Sequence, residues 1–174
     1  MMITIRRARP SDVPAISRIY AHAVEHGTAS FELEPPDEAE MTRRMEHLLG
    51  NHFPYLAAEN GSALCGYAYA GPYRARPAYR WTLEDSVYVA PDMHRRGIGR
   101  ALLAALLEAA EAGGFRQMIA VIGDSTRQDS SVGLHEALGF RHIGIFQDVG
   151  YKHGQWLDTV LMQKTLGAGN STAP

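Results

Sequence analysis

One cysteine, Cys65, stands in a chain of 174 residues. An internal disulfide is therefore excluded, and a reducing, cytoplasmic setting is expected. Long apolar runs are also missing. The longest stretch, Ala101 to Ala112, is broken by Glu108 and Glu111 and is too short to span a bilayer, so no membrane partner is expected. The opening MMITIRRARPSD has no apolar run before a small-residue cleavage site, so no secretory leader is expected. Charge of one sign is lacking too, since 17 Lys plus Arg against 19 Asp plus Glu leave a formal charge of −2. Nucleic acid is not expected as a partner, because binding the phosphate backbone needs a broad basic surface. His22 and His26 have i,i+4 spacing, but no glutamate follows the first and no third ligand is apparent, so no metal is expected.

What is present is an ordinary globular composition, 45% hydrophobic and 21% charged. A chain of this length is expected to fold as one domain and to remove about two-thirds of its unfolded surface from water. Ile3 and Ile5 alternate with polar neighbours as in a strand. Ser11 reads as the N-cap of a helix carried by Ile16, Ile19, Tyr20 and Val24 as far as Gly27. Thr28 to Glu32 form a loop, and Met41, Met45, Leu48 and Leu49 mark a second helix. Asn60-Gly61 predicts a tight hairpin between Tyr55 to Glu59 and Ala63 to Tyr69. A strand over Trp81 to Val89 carries polar groups on both faces; a helix over Gly97 to Ala112, a strand over Gln117 to Ile122 and a helix over Asp129 to Leu138 follow. Strands near His142 to Val149 and Trp156 to Lys164 end the pattern. This order calls for an α/β (α+β) fold, a mixed sheet of about seven strands flanked by about four helices. The domain is expected over residues 1–166, with GAGNSTAP at 167–174 as a disordered tail.

The segment HRRGIGRALL, from His94 to Leu103, sets two glycines and three arginines at the start of a helix. Glycines there leave backbone N–H groups open to an anion that the helix dipole favours, and arginines add charge-assisted donors. A Walker motif needs a Gly-Lys-Ser/Thr ending, and a dinucleotide fingerprint needs a small residue where Leu102 stands, so neither fits. Arg74, Arg76 and Arg80 lie close together among Tyr73 and Tyr79. Such guanidinium groups suit an anionic substrate. Cys65 lies in a predicted strand and reads as a packed thiol.

A basic-x-x-Gly-x-Gly turn between a strand and an Ala/Leu-rich helix resembles the pyrophosphate loop of the GNAT acyltransferases, and the likeness extends over Ile3 to Leu166. TASFE, YRARPAYRWTLEDSVYV, AVIG, LHEALGF and GYKHGQWLD resemble one branch, the phosphinothricin and methionine sulfoximine N-acetyltransferases. The resemblance implies the GNAT fold, acetyl-CoA as cosubstrate and a homodimer. It implies that the backbone of Val87, Tyr88 and Val89 pairs with the pantetheine arm. Arg95, Arg96, Gly97, Ile98, Gly99 and Arg100 would surround the pyrophosphate, and Gln128 and Ser131 offer further cofactor contacts. Acceptor contacts fall on Arg74, Ala75, Arg76, Glu84, Asp85 and Ser86, with Thr28 and Phe31 walling the pocket. Acetyl transfer needs a base for the amine, which falls on Glu84, and a proton for the leaving thiolate, which falls on His135. The expected activity is direct acetyl transfer to the α-amine of a small amino acid or analogue, in antibiotic detoxification or in metabolism. Acetylation of a peptide or another amine, and a non-catalytic acyl-CoA sensor, are the alternatives.

Overall fold

A computed structural model describes residues 2–126 and 129–174. Eleven main elements follow in chain order: β1 (Ile3–Arg7), α1 (Val13–His26), α2 (Glu38–Gly50), β2 (Tyr55–Asn60), β3 (Ala63–Pro72), β4 (Thr82–Val89), α3 (Ile98–Ala112), β5 (Gln117–Gly123), α4 (Asp129–Ala137), β6 (Arg141–Lys152) and β7 (Gln155–Thr165). The strands form one sheet in the order β1-β2-β3-β4-β5-β7-β6. Every pairing is antiparallel except β4 with β5. The expected mixed sheet with four helices is therefore observed.

The sheet is covered on both faces, which explains why β2 reads as the nearly unbroken apolar run YLAA. On one face Leu56, Ala58, Ala68 and Leu83 pack with Leu102, Leu103 and Leu106 of α3. On the other, Tyr55, Ala57 and Tyr67 pack with Ile16, Ile19 and Tyr20 of α1 and Met41 and Met45 of α2. The methionine stripe is core, and Cys65 is buried with its thiol directed to the Ala63 carbonyl. Among the described residues no helix is long and apolar enough to cross a membrane.

Local details depart from the sequence reading where a distant group competes with a local signal. Ser11 lies inside a 3-10 turn, Pro10–Asp12, and α1 starts from Asp12. The Asp12 carboxylate accepts both from the Arg9 backbone and from the Arg6 guanidinium on β1, so an ion pair with the preceding strand sets the helix entrance. Asn60 belongs to β2, paired with Ala63, and the hairpin turn is Gly61-Ser62. β6 and β7 are one long hairpin because His153 and Gly154 both take positive φ, the geometry of a tight two-residue turn. At the chain end Leu166 is buried, and the Arg116 guanidinium donates to the Gly169 and Ala173 carbonyls and to Thr172 Oγ1.

Candidate active site

β4 pairs with β3 from Leu83 to Val89, but with β5 only at Thr82, Leu83 and Glu84. Beyond Glu84 the two parallel strands part, β5 running on to Gly123 while β4 runs on to Val89. The result is a wedge in the middle of the sheet. Along it the β4 edge from Asp85 to Val89 has no partner strand among the described residues. Main-chain donors and acceptors on such an edge can receive an extended ligand as though it were another strand.

The α3 N-terminus follows β4 after a short turn. Arg95 and Gly97 both hold left-handed backbone, φ 60° and 78°, and no side chain caps the helix. The helix ladder begins with Ala101 N donating to Gly97 O at 3.0 Å, which leaves the N–H groups of Ile98, Gly99 and Arg100 outside it. A Cβ added at Gly97 would meet nothing within 4 Å. The Gly97 backbone thus faces space that an anion can enter. Arg95 and Arg96 are exposed; the Arg96 guanidinium also reaches the Asp92 carbonyl. His94, first in the basic motif, donates from its ring Nε2 to the Val89 carbonyl at 3.0 Å and so ties the turn to the end of β4. Gly99 lies close to Val89 and to Leu134 of α4, so α4 flanks the same wedge.

Strand alternation divides the residues of β4 between its two faces. Leu83 and Asp85 are buried, whereas Glu84 and Ser86 are half-buried on the face towards α1 and α2. Burial pushes the Glu84 carboxyl above its ordinary range, the neighbouring Asp85 charge adds to this, and the Arg74 charge opposes it. Arg74, Ala75 and Arg76 lie in an exposed turn, with the Arg74 guanidinium 5.0 Å from the centre of the Tyr73 ring. Arg74 is thus electrostatically coupled to Glu84.

His135 is only 4% exposed and has both ring nitrogens engaged: Nε2 lies 3.0 Å from Asp85 Oδ2, and Nδ1 lies 2.7 Å from the Ser131 carbonyl. Because a carbonyl can only accept, Nδ1 carries a proton. Burial pulls the imidazole towards its neutral form, but the hydrogen bond and charge of Asp85, with the Ser131 carbonyl, outweigh this and raise its pKa. In this arrangement both ring nitrogens of His135, expected to protonate a leaving thiolate, are spent on Asp85 and Ser131. Ser131 offers its carbonyl to this ring from within α4. Gln128 lies outside the described residues.

Loop 28–32 packs at the end of β5 and against β6. Thr28 is buried and its hydroxyl donates to Asp124 at 2.7 Å, which anchors the loop. Phe31, 36% exposed, stays available as a wall. Lys152, 3% exposed, donates from Nζ to the Ser30 carbonyl at 2.7 Å. Sequence reading passed over this lysine, and it passed over a cavity of about 210 Å³ beneath α1 and α2, lined by Tyr20, Tyr55, Tyr67, Tyr69 and Arg44 among others. The Tyr67 hydroxyl is buried there with no hydrogen-bond partner among the described residues. The pattern GYAYA, with Tyr67 and Tyr69 alternating, was the available signal.

Comparison with known proteins follows the same lines. Residues 5–161 match the family described as Acetyltransferase (GNAT) domain. The chain is 53% identical to a phosphinothricin N-acetyltransferase of Alcaligenes faecalis over 171 residues, covering 98% of this chain and 86% of the relative. It is 38% identical to an L-methionine sulfoximine/L-methionine sulfone acetyltransferase of Pseudomonas paraeruginosa, covering 95% and 96% of the two chains. A GNAT superfamily phosphinothricin acetyltransferase of Sinorhizobium meliloti, solved in complex with AcCoA, superposes with a TM-score of 0.96 at 47% identity, covering 100% of this chain and 94% of that one.

Proposed function

The chain belongs to the GNAT acetyltransferases, and from that premise we propose that it transfers acetyl from acetyl-CoA directly to the α-amine of a small amino acid or analogue. Phosphinothricin and methionine sulfoximine are the leading acceptors, and detoxification of such antibiotics in the cytoplasm is the role they suggest. The observation that carries this reading is the parting of β4 from β5 immediately after Glu84, with the uncapped α3 N-terminus beside it.

Each part of the cosubstrate has a matching feature. The free edge at Val87, Tyr88 and Val89 suits the pantetheine arm, whose amides pair as strand neighbours do. The N–H groups of Ile98, Gly99 and Arg100, with Gly97 and the Arg95, Arg96 and Arg100 side chains, suit the pyrophosphate. Ser131, in the first turn of α4, is a further candidate contact for the cosubstrate. Gly97→Ala would put a methyl group into the open approach and force alanine into left-handed backbone, a strain of about 1–2 kcal/mol. Titration calorimetry is expected to record acetyl-CoA binding weakened about tenfold; unchanged affinity would remove the pyrophosphate from this turn.

Glu84 takes the amine proton. Its raised pKa brings the carboxylate nearer to the operating pH, where a general base is most effective. Ser86 shares the Glu84 face and the Arg74 charge reaches Glu84; Arg74 and Arg76 receive the acceptor's acidic groups, with Ala75 of the same turn and Phe31 as further contacts. Asp85 points to the other face and, with His135, positions the strand that carries Glu84.

A homodimer fits the exposed apolar surface of the β6–β7 hairpin, where Ile145, Phe146, Val149, Tyr151 and Trp156 are all about half exposed or more. The double substitution Ile145→Lys/Trp156→Lys is expected to shift the sedimentation coefficient from dimer to monomer. A wild-type monomer at working concentration would end the dimer reading. The activity itself is tested by thiol release from acetyl-CoA with phosphinothricin, methionine sulfoximine, methionine sulfone and the standard amino acids. Absence of CoA release with every one of them would overturn it.

A further inference from the structure

The Phe31 ring rests on two backbones that have no side chain. A Cβ built at Gly150 would lie 2.3, 2.6 and 2.9 Å from Phe31 Cε2, Cδ2 and Cζ, and one built at Gly123 would lie 2.6 Å from Phe31 Cε1. A Cβ carbon does not tolerate such distances without movement, so a side chain at either position must displace something. The loop carrying Phe31 cannot readily yield. Thr28 is bonded to Asp124, the Ser30 carbonyl to Lys152 and the Ser30 hydroxyl to Tyr20 at 3.0 Å. Residues 150 and 152 share one face of β6 by the two-residue period of a strand, so the lysine that clamps the loop and the glycine that seats the ring act from the same surface.

The two glycines differ in what they would disturb. At Gly123 the added atom also meets the Thr28 carbonyl at 2.6 Å, a backbone group in the clamped segment. At Gly150 the three nearest atoms all belong to the Phe31 ring, which can rotate about its own bonds. Gly150 also lies outside the left-handed region, so alanine adopts its backbone without strain.

We propose that Gly150 is a specificity-determining residue: by having no side chain it seats Phe31 against β6 and so sets the size of the acceptor that the wedge admits. This rests on the reading of Phe31 as the wall of an acceptor pocket. A methyl group at position 150 turns the ring out of its seat towards its exposed side and so narrows the space for the acceptor's side chain. The cosubstrate features at β4 and α3 are untouched.

The experiment compares wild type, Gly150→Ala, Phe31→Ala and the double variant, with alanine, methionine and methionine sulfone as acceptors. Gly150→Ala is expected to lower kcat/KM for methionine sulfone relative to alanine by about tenfold, with the KM for acetyl-CoA unchanged. In the Phe31→Ala background the same substitution is expected to change that ratio by less than about twofold, since the two residues act through one contact. An unchanged acceptor profile in Gly150→Ala, or an equal loss in both backgrounds, overturns the proposal. If Gly150→Ala does not fold, recovery of folding in the double variant supports the seat and failure to recover overturns it. A wild-type protein that releases no CoA with any acceptor overturns the acetyltransferase reading and this inference with it; an active wild type with an unmoved profile overturns this inference alone.

Discussion

Glu84→Gln is expected to lower kcat/KM for the amine by about 10²- to 10⁴-fold at neutral pH, the range for loss of a positioned general base. Glutamine keeps the shape of the side chain and removes only its ability to take a proton. Acetyl-CoA binding should therefore hold, because the free β4 edge and the α3 N-terminus do not involve this group. The pH profile separates the base from a merely structural glutamate. The carboxyl must be ionised to act, and burial, with the Asp85 charge, raises its pKa. Wild-type activity accordingly falls as pH drops through that raised pKa, above the ordinary carboxylate range, and recovers as pH rises. Glu84→Gln should lose that limb. A variant with normal turnover, or with the wild-type acid limb intact, would remove Glu84 from the chemistry.

His135→Ala has the largest expected effect on stability, about 3–5 kcal/mol in urea unfolding, because it leaves the buried Asp85 carboxylate without its partner. It also removes an edge-to-face contact with Phe140, ring centres 4.8 Å apart. The sign of the pH dependence follows from the raised His135 pKa. Its stabilising contribution is fully present below the unfolded value of about 6.5 and is lost as pH rises through the folded pKa. Wild-type stability should decline over that interval, and the variant should not show the decline. Asp85→Asn in the His135→Ala background removes the orphaned charge and is expected to recover most of the loss. Activity then distinguishes the two roles of the histidine. If it positions β4 through Asp85, kcat recovers with stability; if it donates a proton to the leaving thiolate, stability returns while kcat stays low.

Legibility varied with how local each signal was. The glycine turn ahead of α3 could be read from HRRGIG because glycine, arginine and a following Ala/Leu helix act within one stretch of chain. The alternation of β4 likewise put Glu84 and Asp85 on opposite faces before any partner was known. The contact of His135 with Asp85 was not legible because its neighbours in sequence say nothing about a group 50 residues away. Lys152 went unnoticed for the same reason, its partner Ser30 lying 122 residues off. The Ser11 cap lost to an ion pair between Arg6 and Asp12 that depends on β1 lying beside the helix entrance.

The amino-acid order by itself therefore determined the strands and helices, the mixed class of the sheet and the glycine turn ahead of α3, all of which follow from periodicity and backbone preference over a few residues. Only the tertiary structure decided where β4 and β5 part, that His135 spends both ring nitrogens within the fold, and that Phe31 is seated on Gly123 and Gly150. Those features are contacts between segments far apart in the chain, and burial makes each partner's chemistry depend on which group packing brings against it.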